Sequence, residues 1–257
     1  MVEKTVTLAV MKGMPEWPRF LAGFAREAQA RGLVGRTLAE CAGGPLMAWE
    51  HAGPGPHVYV SAGMHGDEPA GPLALLRLLE EDFFGPGIHW LLCPALNPDG
   101  LSAGTRGNGA GIDLNRDYLT RQTPEVRAHA GWLETMPPPD LFVSLHEDWE
   151  TCGFYLYEIN LGPDMPQRAQ AIINAVRPWF PPQPGPDIDG HQPRTDGWIY
   201  HEAEADEPTG WPEAIFLANH GCPLSFTLET PSHAPLNLRV AAHVSATRAA
   251  VQTLGFT

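Results

Sequence analysis

The sequence predicts an α/β fold in which helices cover a sheet, and three observations predict it. Short apolar runs alternate with stretches of helical periodicity along the chain. At 257 residues with 43% hydrophobic content, the chain can bury a large core. Polar residues able to do chemistry gather where apolar runs end, and open α/β sheets bind ligands outside the carboxyl ends of their strands.

In chain order the strand-like runs are "VTLAV" (6–10), "PLMAW" (45–49), "HVYVSAG" (57–63), "HWLLCPAL" (89–96), "DLFVSLH" (140–146), "FYLYEI" (154–159) and "LSFTLET" (224–230). Helical patterns separate them at 17–31, 69–82, 124–134, 164–178 and 235–253. Prolines and glycines crowd into 97–111 and 181–212, and the second stretch is long enough to predict a functional loop. No linker or repeat divides the chain, so residues 1–257 are expected to form a single domain.

The net charge of -14 argues against nucleic-acid or anionic-membrane partners. Any anionic substrate must then meet a local positive site. "MVEKTVTLAV" lacks the layout of a signal peptide, and no apolar run approaches a membrane span. The four cysteines, Cys41, Cys93, Cys152 and Cys222, form no CxxC pair, which disfavours a disulfide scaffold or a thiolate zinc site. The expectation is a reduced, cytoplasmic protein.

The stretch "SAGMHGDEPAG" (61–71) sets His65 and Glu68 between a strand and a helix. Alone, the pair reads as a helix start with Glu68 in the first turn. It also suits a metal, because residues three apart on a helical turn face the same way. His146, at the end of "DLFVSLH", supplies a third candidate ligand. Two histidines and a carboxylate, with a fourth position left to water, are a recognised set for catalytic zinc.

Between these ligands runs "CPALNPDGLSAGTRGNGAGIDLNRDY" (93–118). The succession of HxxE, NPDG, an arginine, G-x-D-x-N-R, a strand-borne histidine and a late T-x-E resembles the zinc carboxypeptidase family over residues 60–231. That resemblance implies an α/β/α sandwich around a mixed, twisted β-sheet. It implies one zinc per chain on His65, Glu68 and His146, with Asp113 orienting a histidine ligand. Arg106 would stabilise the oxyanion. Asn115 and Arg116 would clamp a substrate carboxylate, and Glu229 would be the general base. Tyr200, the sole tyrosine between Tyr157 and Glu229, is the candidate for the family's loop tyrosine.

Only 78 residues separate Glu68 from His146, which is economical for a digestive carboxypeptidase. This compactness resembles the murein peptide amidase branch and the succinylglutamate desuccinylase/aspartoacylase branch. Two substrate classes follow: small peptides with a free carboxylate, or N-acylated amino acids. The peptide reading is favoured by the wording of "NPDG" and "GIDLNR", and by Glu147 and Asp148, which could attract a cationic group. The oligomeric state cannot be read from the sequence.

Overall fold

The computed structural model describes residues 16–255. The run at 6–10 lies outside them.

The order of elements is α1 (Trp17–Ala30), β1 (Val34–Cys41), β2 (Gly44–His51), β3 (His57–Ala62), α2 (Ala70–Glu80), β4 (His89–Cys93) and α3 (Pro98–Ala103). A single 3-10 turn at Leu114–Arg116 follows, then α4 (Pro124–Leu133), β5 (Leu141–Asp148), β6 (Tyr155–Asn160) and α5 (Gln167–Val176). The chain continues through β7 (Trp198–Tyr200), α6 (Glu213–Asn219), β8 (Leu224–Pro231) and α7 (Leu236–Gln252).

Among the described residues, eight strands join one mixed sheet in the order β1-β2-β4-β3-β5-β8-β6-β7. The four central strands β4, β3, β5 and β8 run parallel, and antiparallel pairings flank them. The parallel strands read as continuous apolar runs because both faces are covered. Val58, Val60, Val143, Leu145, Phe226 and Leu228 turn to one face, where they pack with α1, α2, α5 and α7. Tyr59, Leu91, Cys93 and Phe142 turn to the other, against α4 and α6. The result is the three-layered α/β/α arrangement that the sequence predicts.

The parallel register sets the chemistry in rows. His146 on β5 is paired with Glu229 on β8, and Glu229 in turn with Tyr155 on β6. Neighbouring strands lie about 4.8 Å apart, so these three side chains emerge side by side on one face of the sheet. One step back, Ser61, Ser144, Thr227 and Tyr157 form a second polar row.

The segment after β3 can approach the NPDG turn closely only because residue 66 is glycine. A Cβ there would sit 1.8 Å from the carbonyl carbon of Gly100. The backbone of the HxxE turn therefore rests directly on the NPDG turn, and Gly66 N–H donates to the Thr105 carbonyl at 2.9 Å. Asn97 caps α3 by accepting from Gly100 N–H at 2.8 Å. Its amide reaches the Met64 and Arg106 carbonyls, both at 3.3 Å. NPDG thus acts as a clip that ties the His65 turn to the Arg106 loop. All four cysteines are free. Among the described residues, no helix is long and apolar enough to cross a membrane.

Candidate active site

A cavity of about 570 Å³ opens at the carboxyl ends of the parallel strands. His65, Glu68 and His146 meet on its floor. His65 Nδ1 lies 2.6 Å from one oxygen of Glu68, and His146 Nδ1 lies 3.0 Å from the other. All three residues are buried. Burial alone would raise the Glu68 carboxyl, but the two imidazoles hold it well below the usual carboxylate range. Burial would likewise lower His65, yet Glu68 and Asp113 lift it to about 9. Burial depresses His146. Two Nδ1 atoms and a carboxylate converging on one point form a donor set suited to a divalent cation, and zinc in particular.

Asp113 joins three parts of the site. One of its oxygens accepts from Asn115 N–H at 2.9 Å and lies 3.1 Å from His65 Nε2. The other accepts from Arg106 Nε at 3.1 Å. The same carboxylate thus caps the 3-10 turn and holds His65. Burial opposes its charge, but His65 and Arg106 prevail and hold it far below its ordinary value. Arg106 also stands 3.7 Å from Glu68, which places its guanidinium beside the cluster.

Asn115 and Arg116 line the same cavity. Asn115 Oδ1 accepts from the Glu213 backbone N–H at 2.9 Å, which leaves the amide NH₂ as its free donor. Among the described residues, the Arg116 side chain bonds only to the carbonyl of Asn115, at 2.9 Å. Among the described residues it has no acidic partner within 4.0 Å. Neither neighbouring acid claims it: Asp117 caps the Thr123 turn, and Glu125 accepts from Asn108. A permanent cation without a partner, in so acidic a chain, is poised for an anionic ligand.

Glu229 reaches the cavity from β8. Burial pushes its carboxyl up, and Glu68, Asp148 and Asp189 push it further than Arg106 can offset. A carboxyl so placed holds a proton readily.

Two expectations from the sequence need correction. Tyr200 does not line the cavity: it ends β7 exposed, and its hydroxyl donates to the Asn160 carbonyl at 3.3 Å. Glu147 cannot attract a substrate cation, because it is buried and held by Arg239 and by the Ala70 N–H at 2.6 Å. The tyrosines that do line the cavity are Tyr155 and Tyr157. Their two-residue spacing in "FYLYEI" was the available signal, since alternate strand residues share a face.

Glu213, also unforeseen, anchors a buried network beneath Asn115. Its oxygens accept from the Tyr59 and Ser61 hydroxyls, both at 2.8 Å. His129 bridges the Tyr59 and Tyr118 hydroxyls at 2.8 and 2.7 Å. Burial lifts the Glu213 carboxyl from 4.5 to about 7, against the two hydroxyls that favour its charged form. The unfolded chain thus ionises at lower pH than the folded one, and this group's contribution to stability falls as pH rises from 4.5 to about 7. Glu213→Gln keeps the backbone N–H and the shape but cannot ionise. The variant should match the wild type near pH 4.5 and exceed it at pH 8 by on the order of 3 kcal/mol, as read by urea unfolding at both pH values. An advantage that does not grow with pH would mean that Glu213 carries no such penalty.

Residues 54–175 match the succinylglutamate desuccinylase/aspartoacylase catalytic domain. Carboxypeptidase SOL1 of Arabidopsis thaliana is 34% identical over 91 residues, a match covering 27% of this chain and 18% of that protein. A candidate metallopeptidase from Shewanella amazonensis superposes with a TM-score of 0.82 at 26% identity, covering 92% of each chain. A metallo-carboxypeptidase from Burkholderia cenocepacia shares the fold with a TM-score of 0.66 at 20% identity, over 92% of this chain and 69% of that one. In fold, and in a cavity floor of two histidines and a glutamate, the chain is therefore similar to zinc carboxypeptidase-like hydrolases.

Proposed function

We propose that the protein is a zinc-dependent carboxypeptidase that hydrolyses the amide bond next to the free carboxylate of a small peptide. One observation carries the reading: the partnerless Arg116 opens into the same cavity as the His65–Glu68–His146 cluster and Glu229. His65, Glu68 and His146 would hold the metal, one per chain. Zinc supplies Lewis-acid chemistry there, polarising a carbonyl and making water a nucleophile at neutral pH. Arg116 and the Asn115 amide grip the substrate carboxylate and so fix which bond meets the cluster. The Glu229 carboxylate takes the proton of the attacking water and passes it to the leaving amine. The Arg106 guanidinium faces the negative charge that develops on the carbonyl oxygen.

A second reading, deacylation of N-acyl amino acids, is favoured by the match to the desuccinylase/aspartoacylase domain. The charge of the cavity weighs against its dianionic form. Leaving aside Glu68, Glu147 and Glu229, six acidic side chains (Asp67, Asp148, Glu150, Asp189, Asp206 and Glu207) and two arginines line the walls, so an acyl group bearing a second carboxylate meets repulsion, while a peptide ammonium meets attraction. Short peptides should accordingly turn over with kcat/KM at least about 10-fold above N-acetyl and N-succinyl amino acids, a difference of about 1.4 kcal/mol. Faster release of acetate or succinate than of peptide products would reverse the assignment.

A further inference from the structure

We propose that His191, His201 and Asp206 form a second divalent-cation site, selective for zinc-like ions, at the mouth of the cavity. The three present ligand atoms that all lie within 4.8 Å of one another, and they share no residue with the His65–Glu68–His146 cluster.

The local fold prepares the two imidazoles. Ile188 and His191 face each other across a tight hairpin turn whose central residues, Asp189 and Gly190, have φ of 49° and 76°. An Asp-Gly pair adopts this doubly left-handed turn easily. The Tyr157 hydroxyl donates to Asp189 and fastens the turn to β6. The Tyr157 ring also stands edge-on to both imidazoles, with centroids 5.5 Å from His191 and 5.9 Å from His201. His201 leaves the end of β7 with its backbone N–H on the Glu158 carbonyl at 2.8 Å. Its Nδ1 lies 2.6 Å from the Glu202 carbonyl, an acceptor only, so Nδ1 carries the proton and Nε2 is the bare ligand atom. Metal-bound histidines are oriented in this same way by a bond from the other ring nitrogen.

Each imidazole faces a different oxygen of Asp206 across a gap wider than a hydrogen bond. His201 Nε2 and His191 Nε2 stand 3.4 and 3.5 Å from the two oxygens of Asp206, beyond ordinary hydrogen-bond length. One ligand atom from each residue lies within 4.8 Å of the others, and ligand atoms around tetrahedral zinc are about 3.3–3.6 Å apart, so the exposed Asp206 needs only to turn for one of its oxygens to serve both nitrogens. Two imidazoles and one carboxylate select zinc, cobalt or nickel over calcium and magnesium. Asp206 is exposed, so water or a substrate group can complete the coordination. An ion there would join the 201–206 segment to the Asp189–Gly190 turn across the cavity mouth, and would add positive charge to an acidic rim.

The test is calorimetric titration of Zn²⁺ into the full-length protein already holding one equivalent of zinc. The wild type should take up a second equivalent. His201→Ala and the conservative Asp206→Asn should each weaken that event by about 100-fold, because even an outer partner of a ligand is typically worth 10–100-fold. His146→Ala should spare it. If His146→Ala leaves the first equivalent intact while His201→Ala removes the second, the rim site stands and the reading of the floor fails. The proposal is overturned if the wild type binds no second equivalent, or if both rim variants bind it as the wild type does.

Discussion

Glu229→Gln should remove turnover by about 10²–10⁴-fold, the usual worth of a general base, while zinc content and folding stay at wild-type levels. Glutamine preserves the shape and one acceptor but cannot take up a proton at neutral pH. The sheet gives the reason for expecting so clean a separation. Glu229 stands beside His146 on the next strand, yet it makes no hydrogen bond to the His65–Glu68–His146 cluster, where both imidazoles close on Glu68. Its loss therefore leaves the donor set untouched. Its neighbours on the remaining side are Tyr155 and Tyr157, whose strand would still pair with β8 through backbone bonds. Substrate affinity should survive as well, because Arg116 and Asn115 belong to a different loop. A turnover assay beside calorimetric binding of a slow substrate, on one preparation, separates the outcomes. Near-wild-type hydrolysis would exclude Glu229 as the base, and joint loss of zinc and binding would make it structural.

How much of this was legible in the sequence follows from chain distance and burial. The strands at 45–49 through 224–230 were readable because the central parallel strands are covered on both faces and so appear as unbroken apolar runs. β1 was not, since "VGRTLAEC" is an edge strand whose side chains are largely exposed, Val34 at 71%. β7 has three residues, too few to show a period. The short helices α3 and α6 escaped for the same reason. In the site, His65, Glu68, Arg106, Asp113, Asn115 and Arg116 fall in two turns clipped together by Asn97 and Gly66, so local motif and local geometry coincide. Glu213 is the opposite case. It bonds to Ser61 across 152 residues of chain, and a glutamate opening a helix carries no sign that it will be buried under a strand. His191, His201 and Asp206 lay inside a stretch marked only as a long Pro/Gly-rich loop, where no period constrains which side chains converge.

Arg116→Ala should lower kcat/KM by on the order of 2–5 kcal/mol for a substrate with a free carboxylate, the cost of breaking a desolvated charge pair. Amidating that carboxylate should cost the wild type a similar amount. Combined, the two changes should cost little more than either alone, because each removes the same interaction. The structure makes Arg116 the sharper probe of the pair. Asn115 is committed on one side to the Glu213 N–H, so replacing it would also disturb the loop, whereas Arg116 holds nothing but its neighbour's carbonyl. Truncating it thus leaves no buried partner without a bond, and any loss reports on substrate. Arg116→Lys refines the test. Lysine restores the charge but not the planar fork that meets both oxygens of a carboxylate, so it should recover part of the loss and no more. Full recovery would mean that charge alone matters. Strictly additive losses from Arg116→Ala and substrate amidation would mean that the guanidinium and the substrate carboxylate never meet.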